Sequence, residues 1–170
     1  MSTPVNLAQQ DAVKKLRELV NDIDMCLFCT NLKTGDGSTC RPMSTAKVDE
    51  NGDIWFMSPK DSDKNREIAT DSKVQLFYSH PGKSSYLVVN GAASISFDKK
   101  KIEALWSPLA KTWFKEGKED PNISLIRVSD INAYYWDTTG NRMINFFKMV
   151  ASVATGKTLV EAEEGALKVK

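Results

Sequence analysis

A chain of 170 residues suits one domain with a complete hydrophobic core. Its 23 Lys and Arg stand against 22 Asp and Glu, and a net charge of +1 excludes a general electrostatic pull toward nucleic acid or an anionic membrane. No apolar run approaches the roughly 20 residues of a membrane span, and residues 1–6 lack signal-peptide regions, so a cytoplasmic location is expected.

Residues 7–23 carry Val13, Leu16, Leu19, Val20 and Ile23 at helical spacing, which predicts an amphipathic helix. Residues 25–31 read as a first strand, 39–48 as a second and 53–58 as a third. The Asn51-Gly52 pair between the last two is a hairpin signal, and the three strands are expected to form an antiparallel meander. A short helix over 62–70 follows, with Asp61 or Ser62 as its cap. Residues 74–78 alternate as a fourth strand. Residues 86–90 and 92–97 read as one longer strand bent at Gly91, where glycine permits a bulge. Helix is expected over 99–106 and 108–114. Residues 123–128 and 132–136 read as strand segments, with helix as the alternative for the first. Residues 141–154 suggest a last amphipathic helix, and 155–170 a loosely held tail. About six short strands at hairpin spacing predict a closed or nearly closed barrel, mainly β with flanking helices (α+β), as one domain over 1–170 with its core in about 8–138.

Cys26 and Cys29 have C-x-x-C spacing, and Cys40 lies nearby. On a strand, an odd offset sends two side chains to opposite faces. Zinc would need more ligands, and His80 is the only histidine. Three buried, reduced thiols and no metal site are therefore expected.

The candidate chemistry lies elsewhere. Ser58, Ser62 and Lys64 surround a loop-to-helix junction, where free N–H groups attract anions and a lysine adds a point charge. Taken alone, such a junction more commonly holds only a helix cap and a solvated lysine. Arg41 precedes Pro42, which removes a backbone donor and fits an edge or bulged strand whose unused groups can bond a ligand. Trp55 and Trp136 fall in strand patterns and read as core. Trp106 and Trp113 fall in a polar segment and suit a ring-binding cleft or a subunit interface. A phosphate on the helix end with a flat ring along the strands describes a phosphorylated aromatic cofactor, a flavin. No G-x-G-x-x-G after a strand, Walker loop or G-x-S-x-G elbow is present.

The series R-P-M, D-E-N-G-D-I-W-F-M-S, S-D-K, V-Q-L-F-Y, Y-L-V-V-N-G-A-A, L-W, W-F, G-K-E-D-P and A-Y-Y-W-D resembles the general stress protein 26 group. That group belongs to the pyridoxamine 5'-phosphate oxidase-like, FMN-binding split-barrel superfamily, and the resemblance covers residues 8–138. It implies a six-stranded Greek-key split β-barrel and a homodimer with flavin sites at the interface. It further implies FMN as cofactor, FAD as the alternative, and a small-molecule electron donor such as NAD(P)H. Carried over, Arg41, Pro42, Met43 and Ser44 lie along the ring, and Met57 and Ser58 line the cofactor. Ser62 and Lys64 hold the phosphate, and Trp106 and Trp113 approach the ring. Two cations of the oxidases proper are replaced, by Asp63 and Ala46, and their C-terminal Arg- and Trp-rich motif is missing, so vitamin B6 oxidation is not expected. The expected function is a flavin-dependent oxidoreductase or flavin reductase with no assigned catalytic residue. The alternatives are a non-catalytic flavin-sequestering module and a structural dimer with a vestigial site.

Overall fold

The computed structural model describes residues 4–33, 37–138 and 162–169. After a two-residue strand β1 (Leu7–Ala8), helix α1 (Gln9–Ile23) buries Ala12, Leu16, Leu19 and Val20, one stripe at helical spacing. Strands β2 (Met25–Thr30) and β3 (Thr39–Ser44) pair antiparallel. The strand expected over 39–48 breaks at 45–46, where Thr45 N–H bonds Asp24 O and Ala46 N–H bonds Trp55 O. A short β4 (Lys47–Val48) then makes the expected hairpin with β5 (Ile54–Pro59). Gly52 in this turn has φ +81°, and a Cβ there would lie 2.4 Å from Val169 Cγ1, so a side chain is excluded twice over.

The meander stops at this hairpin. β5 pairs with β8 (Ile123–Thr138), not with β3. Between them run α2 (Asp63–Thr70), β6 (Lys73–His80), β7 (Ser85–Ser96), α3 (Lys99–Leu105) and two 3₁₀ turns, Pro108–Thr112 and Gly117–Glu119. β7 is the single bent strand expected, with its register shift between Asn90 and Ala92. A Cβ on Gly91 would meet Val128 Cγ1 at 2.7 Å and Ser129 O at 2.8 Å, so the close approach of β8 requires glycine. Residues 123–136 lie in one strand, and the helical alternative for 123–128 falls.

The sheet runs β3-β2-β6-β7-β8 and forks at β8. The first half of β8 carries β5, and its second half carries β9 (Ala162–Lys168), which also pairs parallel with β1. Strand β9 corrects the expectation of a loose tail: Ala166 and Leu167 fall opposite Tyr134 and Ala133, and Leu167 is fully buried. The helix expected over 141–154 lies outside the described residues. Across the interior, Phe28 of β2 meets Phe56 of β5 edge to face, ring centroids 5.1 Å apart. Strands from distant parts of the sheet thereby close on one core, and the fold is a split β-barrel with flanking helices.

Alternation along β5 supplies two cores. Ile54 and Phe56 face the barrel interior with Leu16, Phe28, Leu76 and Leu87. Trp55 and Met57 face a second cluster formed by Ile102, Leu105, Phe114 and Leu125 beneath α3.

Candidate functional site

Helix α2 starts at a fixed point. Ser62 is its N-cap, with its Oγ accepting from Asn65 N–H at 3.4 Å. Ser58, fully buried, donates to Asn65 Oδ1 at 2.9 Å and lies 3.1 Å from Ser62 Oγ. The Asn65 amide donates to Ser124 Oγ at 2.8 Å and to Lys60 O at 3.2 Å. Ser124 Oγ donates to Ser58 O at 2.8 Å. This knot pins the helix N-terminus to β5 and β8. The N–H groups of Asp63 and Lys64 precede the first intrahelical bonds, which Asn65 and Arg66 make to Ser62 O.

Lys64 and Glu67 are three apart on α2 and share one face. Arg41 reaches that face from β3. Its Nη2 donates to Glu67 Oε2 at 2.7 Å and its Nη1 to Thr30 Oγ1 at 2.7 Å, while Thr30 Oγ1 donates to Glu67. Among the described residues Lys64 makes no hydrogen bond or ion pair. Burial first, and then the Arg41 guanidinium, hold its amine below the usual lysine range, against the opposite pull of Asp63 and Glu67. Burial of Glu67 acts to raise its carboxyl, but hydrogen bonds from Thr30 and Arg41 hold it below the usual range. Two half-buried cations from separate elements therefore converge beside a helix N-terminus, a geometry that suits an anion.

The other expected site residues are dispersed, those on strands by alternation. Met43 turns inward to the main core. Pro42 and Ser44 face outward and are exposed, opposite Leu27 and Met25. Met57 and Trp106 pack on the second core, and Trp113 is 78 % exposed. Trp55 is core, its Nε1 donating to Asp49 Oδ2 at 2.7 Å. The sequence reading missed Thr30 and Glu67, although the i,i+3 spacing of Lys64 and Glu67 was a usable signal. It also missed Asn65 and Ser124, whose bond to each other spans 59 residues and leaves no local pattern.

The cysteine expectation needs correction. Cys29 and Cys40 form a disulfide, and only Cys26 is a buried thiol. The two face each other directly across β2 and β3, a register that sequence spacing does not disclose.

A family model described as pyridoxamine 5'-phosphate oxidase like matches residues 11–160. The chain belongs to the pyridoxamine 5'-phosphate oxidase-like family. Among curated proteins it is similar to protein bli-3 of Neurospora crassa, 27 % identical over 172 residues, spanning 91 % of this chain and 81 % of that protein. Solved structures share the family fold at lower identity. A candidate general stress protein 26 from Jannaschia sp. CCS1 superposes with TM-score 0.76 at 21 % identity, covering 93 % of this chain and 98 % of the other. The general stress FMN/FAD binding protein of Xanthomonas citri superposes with TM-score 0.59 at 21 % identity, covering 72 % and 86 %. Within this family fold, Arg41 and Lys64 lie where a strand meets the start of α2. No described helix is long and apolar enough to cross a membrane.

Proposed function

We propose that this family member binds FMN, holds its phosphate between Arg41 and Lys64 at the start of α2, and serves as a cytoplasmic flavin-dependent oxidoreductase. The observation that carries the reading is the convergence of those two cations, of which Lys64 makes no ion pair among the described residues. A phosphate there competes with Glu67 for Arg41 and takes the available N–H groups of the α2 first turn. The FMN/FAD-binding relative in Xanthomonas citri supports the choice of ligand.

When bound, a flavin supplies the redox chemistry, and NAD(P)H is the donor class we expect. The chain's own residues bind, orient and exclude water. Arg41 and Lys64 neutralise the phosphate, the irregular end of β3 at 45–46 offers backbone groups to the ring edge, and exposed Trp113 is available to cover a ring held by a second copy.

The second copy is part of the proposal. On the outer face of the sheet, Pro42, Leu27, Phe77, Val88 and Tyr134 form one row across five strands. Beside it, Ser44 pairs with Met25 on one side, and Ser79, Tyr86 and Trp136 pair across the next three strands. Across these strands the named residues carry no charge, and the first charge in line is Glu164 on β9, opposite Trp136 at the edge of the patch.

A non-catalytic flavin store is the second reading, favoured because Thr30, Ser58 and Glu67 are all occupied by protein hydrogen bonds. Turnover separates the two: a store holds flavin without consuming NAD(P)H faster than free flavin does. Titration tests the phosphate site itself. Lys64→Ala should weaken FMN by about 1–3 kcal/mol, the range for charge-assisted bonds, and leave riboflavin, which lacks the phosphate, unchanged. Equal FMN affinity in variant and parent removes the assignment.

A further inference from the structure

We infer that Cys40 is a thiol-exchange site, and that its bond to Cys29 controls the anion site beside it. The bond joins residues directly opposed on β2 and β3. The next residue on one strand is Thr30 and on the other Arg41, the two side chains that bond each other and Glu67. Only one further pair, Thr30 with Thr39, lies beyond the bridge before the ladder ends. β3 has β2 as its sole strand neighbour among the described residues. The disulfide therefore clamps the fraying end of an edge strand from which Arg41 projects.

The two sulfurs differ in access. Cys40 is exposed, whereas Cys29 is 1 % exposed. An incoming thiolate reaches Cys40 Sγ and forms a mixed disulfide there, while the Cys29–Cys40 bond breaks and Cys29 Sγ leaves as a thiolate that takes a proton. A second thiol of the same reductant attacks its own sulfur in the mixed disulfide and releases Cys40, leaving the reductant oxidised. The reductant class is a cellular dithiol or two equivalents of a monothiol. Cys26 takes no part, because it is buried in the core with burial pushing its thiol up to about 12. The bridge also lies outside the uncharged patch of the proposed dimer face. Its own row continues into Gln75 and Asn90, hydrogen-bonded at 2.9 Å. In a reducing compartment a bridge so placed acts as a sensor rather than a permanent staple.

The ligand readout rests on the phosphate reading above, so the experiment carries a second readout that does not. FMN and riboflavin are titrated into the full-length protein, oxidised and after dithiothreitol, alongside Cys40→Ser. Reduction and C40S should each weaken FMN about tenfold and leave riboflavin unchanged. Hydrogen exchange over residues 39–42 should quicken on reduction, and in reduced Cys29→Ser, which lacks the resolving thiol, glutathione disulfide should release one glutathione and leave the other on Cys40. Equal FMN affinity and equal exchange in both redox states overturn the control, as does an adduct confined to Cys26. If FMN fails to bind in either state the phosphate reading falls, and the exchange rate and adduct position still decide this one.

Discussion

Arg41 is held at both ends before any ligand arrives: one nitrogen is given to Thr30 and the other to Glu67, each at 2.7 Å. Such a guanidinium is aimed rather than free, and ordering it costs a ligand little entropy. Glu67 does the aiming but also opposes an incoming phosphate. Glu67→Gln keeps a hydrogen-bonding group while removing the charge. We expect it to tighten FMN by about two- to fivefold, the scale of one partly screened charge pair. The same residue sets an acid limit. Its folded carboxyl sits below the usual range, so its stabilisation is complete above the ordinary glutamate value and is lost as pH falls through the folded value. In E67Q the acid limb of the stability–pH curve should flatten. Weaker FMN binding together with an unchanged acid limb would show that Glu67 neither opposes the anion nor pairs with Arg41.

At the scale of elements, the start of α2 depends on a partner it does not touch in sequence. Ser124 on β8 takes one hydrogen bond from Asn65 and gives one to Ser58 O, all in a buried setting. Ser124→Ala removes both bonds in a buried setting, and should cost about 1–3 kcal/mol in denaturant unfolding. FMN affinity should fall with it, since Lys64 rides on that turn. Most of the elements themselves were legible in the sequence: periodicity placed α1 and the main strands, the cap candidates Asp61 and Ser62 placed α2, Asn51-Gly52 placed the hairpin, and Gly91 placed the bend. Lys64 and Arg41 were legible as candidates one at a time. Their meeting was not, because it depends on β3 and α2 being brought together across 23 residues by sheet pairing. The Cys29–Cys40 bond was hidden for the same reason, and β9 because its small and charged sequence carries a weak strand signal on its own.

At the scale of the molecule, the outer sheet face has an uncharged patch with Leu27 50 % and Phe77 38 % exposed at its centre. Placing a charge there sets like against like across a two-fold axis. Phe77→Asp should convert the proposed dimer to monomer in sedimentation while circular dichroism stays that of the parent. A parent protein that already sediments as a monomer would remove the dimer and, with it, the role given to Trp113. The parallel ladder between β1 and β9 carries a different implication. Leu7 registers with Leu167, and Val5 N–H bonds Glu164 O, so segments near residue 5 and residue 165 must find one another. During translation the earlier segment waits, unmatched, until nearly 160 more residues have left the ribosome. The nascent chain therefore spends its synthesis with one edge of its sheet open, and that interval is when chaperone capture or mispairing with a neighbouring chain has its opening.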